Sequence, residues 1–297
     1  MITVIGATGN NGGKISEQLL GRGEKVRVMA RNADRLKKLK EQGAEVLAGS
    51  VEDTASMAKA FAGASAAFIM IPPNYSAPDF RGYQNKVSRV IADAIEKTGL
   101  DYAVNLSSVG AHLEKGTGPI AGLHDHEERL NMMSGLNVLH LRPTYFMENN
   151  LWNIPLIKNQ GINGGPLHPD LRFSMIATQD IAAEAVERLL RKDFKGHTVK
   201  ELLGPRDVTM KEVTAVIGKA IGKPELPYVQ FPYADTEKAL LGMGFSADAA
   251  RLMVEMNRGF NDGVVKPSQK RSLDTSTKTS IEEFAAFFAQ AYRASAN

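Results

Sequence analysis

The 297-residue chain contains no cysteine. That excludes disulfides, thiol redox couples, cysteine-ligated iron–sulfur clusters and thiol nucleophiles together. An excess of one charge is also missing, since 36 Lys plus Arg against 33 Asp plus Glu leave +3. So small an imbalance does not point to a nucleic-acid partner, despite a pI near 8.9. No run approaches the ~18 to 20 apolar residues of a membrane span, so no membrane association is expected. The opening Met-Ile-Thr-Val-Ile-Gly lacks a basic stretch and a spacer, so a secretory signal is not expected and a cytoplasmic location is. Asn105-Leu106-Ser107 fits the glycosylation pattern only formally, because it closes an apolar, strand-like run. Internal repeats and low-complexity segments are absent.

What is present is ordinary globular composition: 43% hydrophobic, 23% charged, 27 glycines and 13 prolines. The length fits about two structural units, at roughly 150 residues each. Short, continuously apolar runs at residues 2–5, 26–30, 45–47, 66–71, 102–106 and 138–141 read as strands buried on both faces. Amphipathic segments at 14–20, 34–40, 54–61, 79–97 and 125–133 lie between them and read as crossover helices. The pattern predicts an α/β fold: a Rossmann-type doubly wound parallel sheet in residues 1–150. Residues 151–297 are expected to form a smaller, mostly helical substrate-binding portion, from which strands can return to the main sheet. In that portion a helix is expected at 179–191, and Asp180 in its first turn reads as a dipole contact. Thr209 with Glu212, and Ser280 with Glu283, have the spacing of capping boxes. Residues 268–279 are polar and loop-like.

Gly6-Ala7-Thr8-Gly9-Asn10-Asn11-Gly12 follows the first strand and precedes an amphipathic helix. Glycines at 6, 9 and 12 permit a tight turn, close approach to a pyrophosphate and close helix–strand packing. Residues 6 and 8–12 are therefore candidate cofactor-binding positions, with the helix N-terminus presenting free N–H groups to phosphate. The second strand ends in Ala30-Arg31-Asn32, where a carboxylate would mark a free ribose 2′-hydroxyl. Arg31 instead can pair bidentately with a 2′-phosphate, and Arg35 adds a second positive charge, so NADP(H) is expected over NAD(H).

With that loop, three further stretches resemble the atypical short-chain dehydrogenases/reductases of the NmrA-like group. They are Phe68-Ile69-Met70-Ile71-Pro72-Pro73, Leu106-Ser107-Ser108-Val109-Gly110-Ala111, and Leu141-Arg142-Pro143-Thr144-Tyr145-Phe146-Met147-Glu148-Asn149. The resemblance implies that Ile71 and Pro72 flank the cofactor ribose, and that Pro143, Tyr145 and Phe146 lie beside the nicotinamide. The chain also departs from the pattern. Tyr-x-x-x-Lys occurs nowhere; Ile120 stands at the tyrosine position and His124 at the lysine position. The usual acidic residue after the third strand is missing, Gly49 being followed by Ser50.

Reducing a simple ketone generates an alkoxide that needs a proton donor or strong anion stabilisation. A quinone, an azo linkage or a cationic triphenylmethane dye delocalises or cancels the developing charge, so positioning can supply much of the catalysis. Relatives in the NmrA-like group include quinone and dye reductases of this kind. The expected activity is thus flavin-free, NADPH-dependent reduction of a small conjugated aromatic acceptor. The alternative is a non-catalytic NADP(H)-binding sensor that signals to a protein partner. A carbonyl or isoflavone-type reductase would require a lysine that the spacing does not provide. Candidate catalytic residues are His124, Tyr145 and Ser107, the last at a strand end where ligands of open α/β sheets collect. Aromatic and methionine residues around Tyr145, Phe146, Met147 and Trp152 are candidates to line an acceptor pocket. His124 and His126 with Glu127 and Glu128 resemble a metal cluster only in composition. Histidines two apart on a helix diverge, and no metal is expected.

Overall fold

The computed structural model describes residues 1–295. Its first half alternates strand and helix: β1 (Ile2–Val4), α1 (Asn10–Gly21), β2 (Val26–Ala30), a 3-10 turn (Ala33–Leu36), α2 (Lys37–Glu41), β3 (Glu45–Ala48), α3 (Thr54–Phe61), β4 (Ala66–Ile69), α4 (Phe80–Thr98), β5 (Tyr102–Leu106), α5 (Ile120–Asn131) and β6 (Asn137–Pro143). The second half contains β7 (Tyr145–Phe146), a 3-10 segment (Met147–Asn153), α6 (Ile154–Gln160), β8 (Asn163–Gly165), β9 (Phe173–Ile176), α7 (Thr178–Arg191) and β10 (His197–Leu202). It continues through β11 (Asp207–Val208), α8 (Met210–Ala220), β12 (Tyr228–Gln230), α9 (Tyr233–Gly242), α10 (Ala247–Asn261) and α11 (Ile281–Ala294).

Seven strands form one parallel sheet in the order β3-β2-β1-β4-β5-β6-β10. Its central strands are apolar on both faces because both faces are covered. On one face Ile15 and Leu19 of α1 meet Ala182, Ala185, Val186 and Leu189 of α7 over Val4, Val28 and Val104. On the other, Met57 and Phe61 of α3, Val87, Ile91 and Ile95 of α4, and Leu130 of α5 pack on Ile5, Ile69 and Val138. Chain direction across the sheet reverses between β1 and β4, which opens a crevice at their carboxyl ends where ligands of such folds bind.

β10 extends the main sheet from the second half of the chain, parallel to β6. Its alternating, polar sequence suits an edge strand with one covered face. The rest of the second half gathers around its own apolar cluster, where Ile154, Ile157, Val213, Ile217, Phe284 and Phe288 bring together α6, α8 and α11. The capping boxes at Thr209/Glu212 and Ser280/Glu283 both form. Helix α5 begins at Ile120, five residues before the predicted start. The buried Ile120 and Ala121 explain this, since their apolar faces extend the helix toward Pro119.

Among the described residues, no helix is long and apolar enough to cross a membrane. None of the described His, Asp and Glu residues form a group of three able to hold a metal.

Candidate cofactor and acceptor site

The glycine loop joins β1 to α1 at the reversal point. Gly6 has φ +77°, a conformation L side chains rarely adopt, and a Cβ there would lie 2.5 Å from Met70 Sδ beyond β4. A Cβ on Gly12 would lie 2.4 Å from the Gly6 carbonyl oxygen, so only glycine lets α1 approach the loop. Gly9 is different. A Cβ there would make one ordinary contact, 3.4 Å from the Gly6 carbonyl oxygen, and the residue is solvent-exposed. Gly9 is also the N-cap of α1, and neither a capping side chain nor a first-turn acid occupies that helix end. Thr8 and Asn10 are exposed beside it. Asn11 is buried with an unpartnered Oδ1. This cradle fits a dinucleotide pyrophosphate.

Arg31 follows β2 and is exposed, as is Arg35 in the 3-10 turn. Asn32 caps that turn by accepting the Asp34 N–H at 2.9 Å. Neither arginine has a carboxylate partner among the described residues. Past β4, Ile71 is buried, and the Pro72 carbonyl accepts the Tyr83 hydroxyl at 2.9 Å. Pro143 is buried at the end of β6, and Phe146 is half-buried in β7. The sequence-derived positions therefore sit along the carboxyl edges of β1, β2, β4 and β6.

The three candidate catalytic residues have different surroundings. His124 lies in the second turn of α5, with Nδ1 2.9 Å from the Ala111 carbonyl oxygen. Because a carbonyl oxygen only accepts, the contact requires the proton on Nδ1. Ser107 donates its hydroxyl to Glu127, and Arg142 clamps the same carboxylate with two hydrogen bonds. Burial of Glu127 is the largest single influence and opposes ionisation, yet Arg142, His140 and Ser107 together hold the carboxyl below its usual pKa. The Tyr145 ring packs edge-on against Phe173 and Phe260, at 5.4 and 5.9 Å between centroids. Its burial raises the phenol's pKa against a hydrogen bond with Asn149, so the hydroxyl stays protonated.

The residues of α5 that resemble a metal cluster fan apart. His124 bonds to Ala111, His126 bonds to Ser88 at 2.8 Å, and Glu127 bonds to Arg142. Glu148 also has a place the sequence does not reveal. Its buried carboxylate accepts the Thr178 N–H at 3.0 and 3.1 Å and the Thr178 hydroxyl, capping α7 from outside that helix. Asp180 anchors the C-terminal segment, accepting the Thr279 N–H at 2.9 Å and its hydroxyl at 2.8 Å.

A cavity of about 380 Å³ opens beside the ends of β5 and β6, lined by Val109, Thr144, Phe173, Phe260, Lys266 and Arg271 among others. Two of these residues, Phe173 and Phe260, are the ring partners of Tyr145. None of Tyr145, Phe146, Met147 and Trp152, expected at an acceptor pocket, is among its walls. Met147 is buried in the second core, and Trp152 is 55% exposed, meeting Phe245 edge-on.

The NmrA-like family model matches residues 1–290. The chain belongs to the NmrA-like family. It is 29% identical over 224 residues to the (4-alkanoyl-5-oxo-2,5-dihydrofuran-3-yl)methyl phosphate reductase of Streptomyces griseus, spanning 75% of each chain. An NADPH-dependent quinone oxidoreductase from Escherichia coli, solved with NADPH, shares its fold at TM-score 0.79 and 22% identity, over 97% of this chain and 99% of that one. The triphenylmethane reductase of Citrobacter sp., solved with NADP(H), aligns at TM-score 0.80 and 19% identity, over 97% and 100%. This family member therefore has its fold in common with a quinone oxidoreductase and a triphenylmethane reductase.

Proposed function

We propose that the chain is a flavin-free, NADPH-dependent reductase of conjugated acceptors. The observation that carries this reading is the pairing of a complete dinucleotide cradle with the absence of Tyr-x-x-x-Lys. NADPH, once bound, supplies a hydride from its nicotinamide. Gly6, Gly9 and Gly12, with the N–H groups of Asn10, Asn11 and Gly12 in the first turn of α1, hold the pyrophosphate. Arg31 and Arg35 select the 2′-phosphate, Ile71 and Pro72 flank the cofactor ribose, and Pro143 and Phe146 back the nicotinamide. His124, its Nδ1 proton engaged by Ala111, accepts a ribose hydroxyl at Nε2. Ser107 acts as a positioning residue, its hydroxyl turned toward Glu127 beneath the crevice. Tyr145 is an aromatic wall, since a buried phenol with a raised pKa is a poor proton donor.

This arrangement suits acceptors that need no donor in the transition state. The names of the relatives support the class: quinones, triphenylmethane dyes and an alkanoyl butenolide phosphate all conjugate the reducible carbon or oxygen with carbonyls or aryl rings. Purified protein without added flavin is expected to oxidise NADPH with quinones, azo dyes or triphenylmethane dyes, and not with isolated ketones. Tight NADPH binding without turnover on any conjugated acceptor would overturn the reading in favour of a redox-sensing regulator.

A further inference from the structure

The cavity beside β5 and β6 is electrostatically one-sided. Arg172, Lys266 and Arg271 line it against a single carboxylate, Asp207. The two arginines are already engaged. Arg271 donates to the Gly204 carbonyl and the Asp207 carboxylate, and Arg172 donates to the Asp207 carbonyl at 3.3 Å and to Glu212 at 3.0 Å. Lys266 has no partner among the described residues. Apolar surface from Val109, Phe173 and Phe260 forms another part of the wall.

Lys266 sits on an anchored segment. Glu201, fully buried in edge strand β10, accepts the Ser268 N–H at 3.0 Å, the Ser268 hydroxyl at 2.8 Å and the Gln269 N–H at 2.8 Å. The Gln269 side chain in turn accepts the Glu201 N–H at 3.1 Å. The carboxylate thus ties the strap to the sheet two residues after the lysine, which keeps the ammonium near the cavity instead of leaving it on a free loop.

We infer that this cavity is the acceptor pocket and selects conjugated acceptors bearing an anionic substituent, a sulfonate, carboxylate or phosphate, which Lys266 pairs. Aromatic surface receives the planar system while Lys266 receives the charge. The assignment of the ligand as an acceptor rests on the reductase reading; its binding does not.

The test is calorimetric titration of NADP⁺-loaded protein with naphthoquinone sulfonate and with unsubstituted naphthoquinone. With no cysteine in the chain, the quinones meet no thiol to arylate. The sulfonate is expected to bind about tenfold more tightly. Lys266→Gln is expected to remove that difference without weakening naphthoquinone, and Lys266→Glu to invert it. Equal affinities in the unmodified protein, or equal effects of both substitutions on both ligands, would overturn the inference. NADPH oxidation measured on the same samples separates the two proposals. Charge-selective binding without turnover leaves the pocket standing and refutes the reductase, whereas turnover without charge selectivity does the reverse.

Discussion

Two glycines three residues apart are glycine for different reasons. A Cβ at position 12 would collide with the Gly6 carbonyl at 2.4 Å, so the requirement there is packing within the protein. At position 9 the protein leaves room, and the proposed site makes the approach of phosphate the requirement. Gly12→Ala is expected to lower stability by about 1–3 kcal/mol, the usual cost of overpacking. Gly9→Ala is expected to leave the melting temperature within a degree or two, because surface changes fall within about 0.5 kcal/mol, while weakening NADPH about tenfold. Thermal melts with and without NADPH, beside a binding titration, read both effects. Arg31 gives a second test at this scale. A charge-assisted contact contributes about 1.5–3 kcal/mol, so Arg31→Glu is expected to lower the preference for NADPH over NADH roughly 10- to 100-fold in kcat/KM. An unchanged preference would remove Arg31 from the 2′-phosphate site.

Elements were legible in the sequence where burial on both sides made them continuous. β2, β5 and α3 fall at their expected bounds because apolar runs and helix periodicity leave one solution. β10 was not legible, since an edge strand alternates and its polar side chains read as loop. The buried partnerships were hidden for another reason. Glu127 meets Arg142 and Ser107 only after α5 docks on β5 and β6, and Glu148 meets α7 across thirty residues of chain. The face between α4, α5 and β6 also buries two histidines as neutral rings. Burial, reinforced by neighbouring positive charge, lowers His126 from 6.5 to about 3. Burial also dominates at His140, lowering it to about 4, although Glu127 opposes the shift. His126 shares a hydrogen bond with Ser88 at 2.8 Å, and His140 lies between Asn105 and Asn131 at 3.0 Å from each. Because the folded pKa values lie below the unfolded ones, the unfolded chain takes up protons first as pH falls. Stability is therefore full above about pH 6.5 and declines toward pH 3–4, by up to about 1.4 kcal/mol per pH unit for each group. His126→Asn is expected to flatten the acid limb of a stability–pH profile; an unchanged slope would exclude this histidine as its source.

At the scale of the molecule, the sheet builds the crevice, and the second half supplies most of the walls of the cavity beside β5 and β6. The sequence located the crevice, because strand order and the glycine loop together define where β1 and β4 part. It did not locate the acceptor cavity, whose walls come from β9, α10 and the strap after residue 263, joined by contacts far apart in sequence. In the proposed chemistry, cofactor contacts arise from the first half of the fold, while acceptor selectivity depends on the C-terminal elements that line the cavity. The central claim is direct passage of hydride from NADPH to a conjugated acceptor with no protein proton donor. The most direct measurement uses NADPH carrying deuterium at both C4 positions with a sulfonated triphenylmethane dye, in which the transferred hydrogen forms a non-exchanging bond to the central carbon. Mass spectrometry of the colourless product is expected to find deuterium on that carbon, with NADP⁺ formed in equal amount and no flavin required. Decolorisation without label in the product, or no NADPH oxidation at all, would contradict the account.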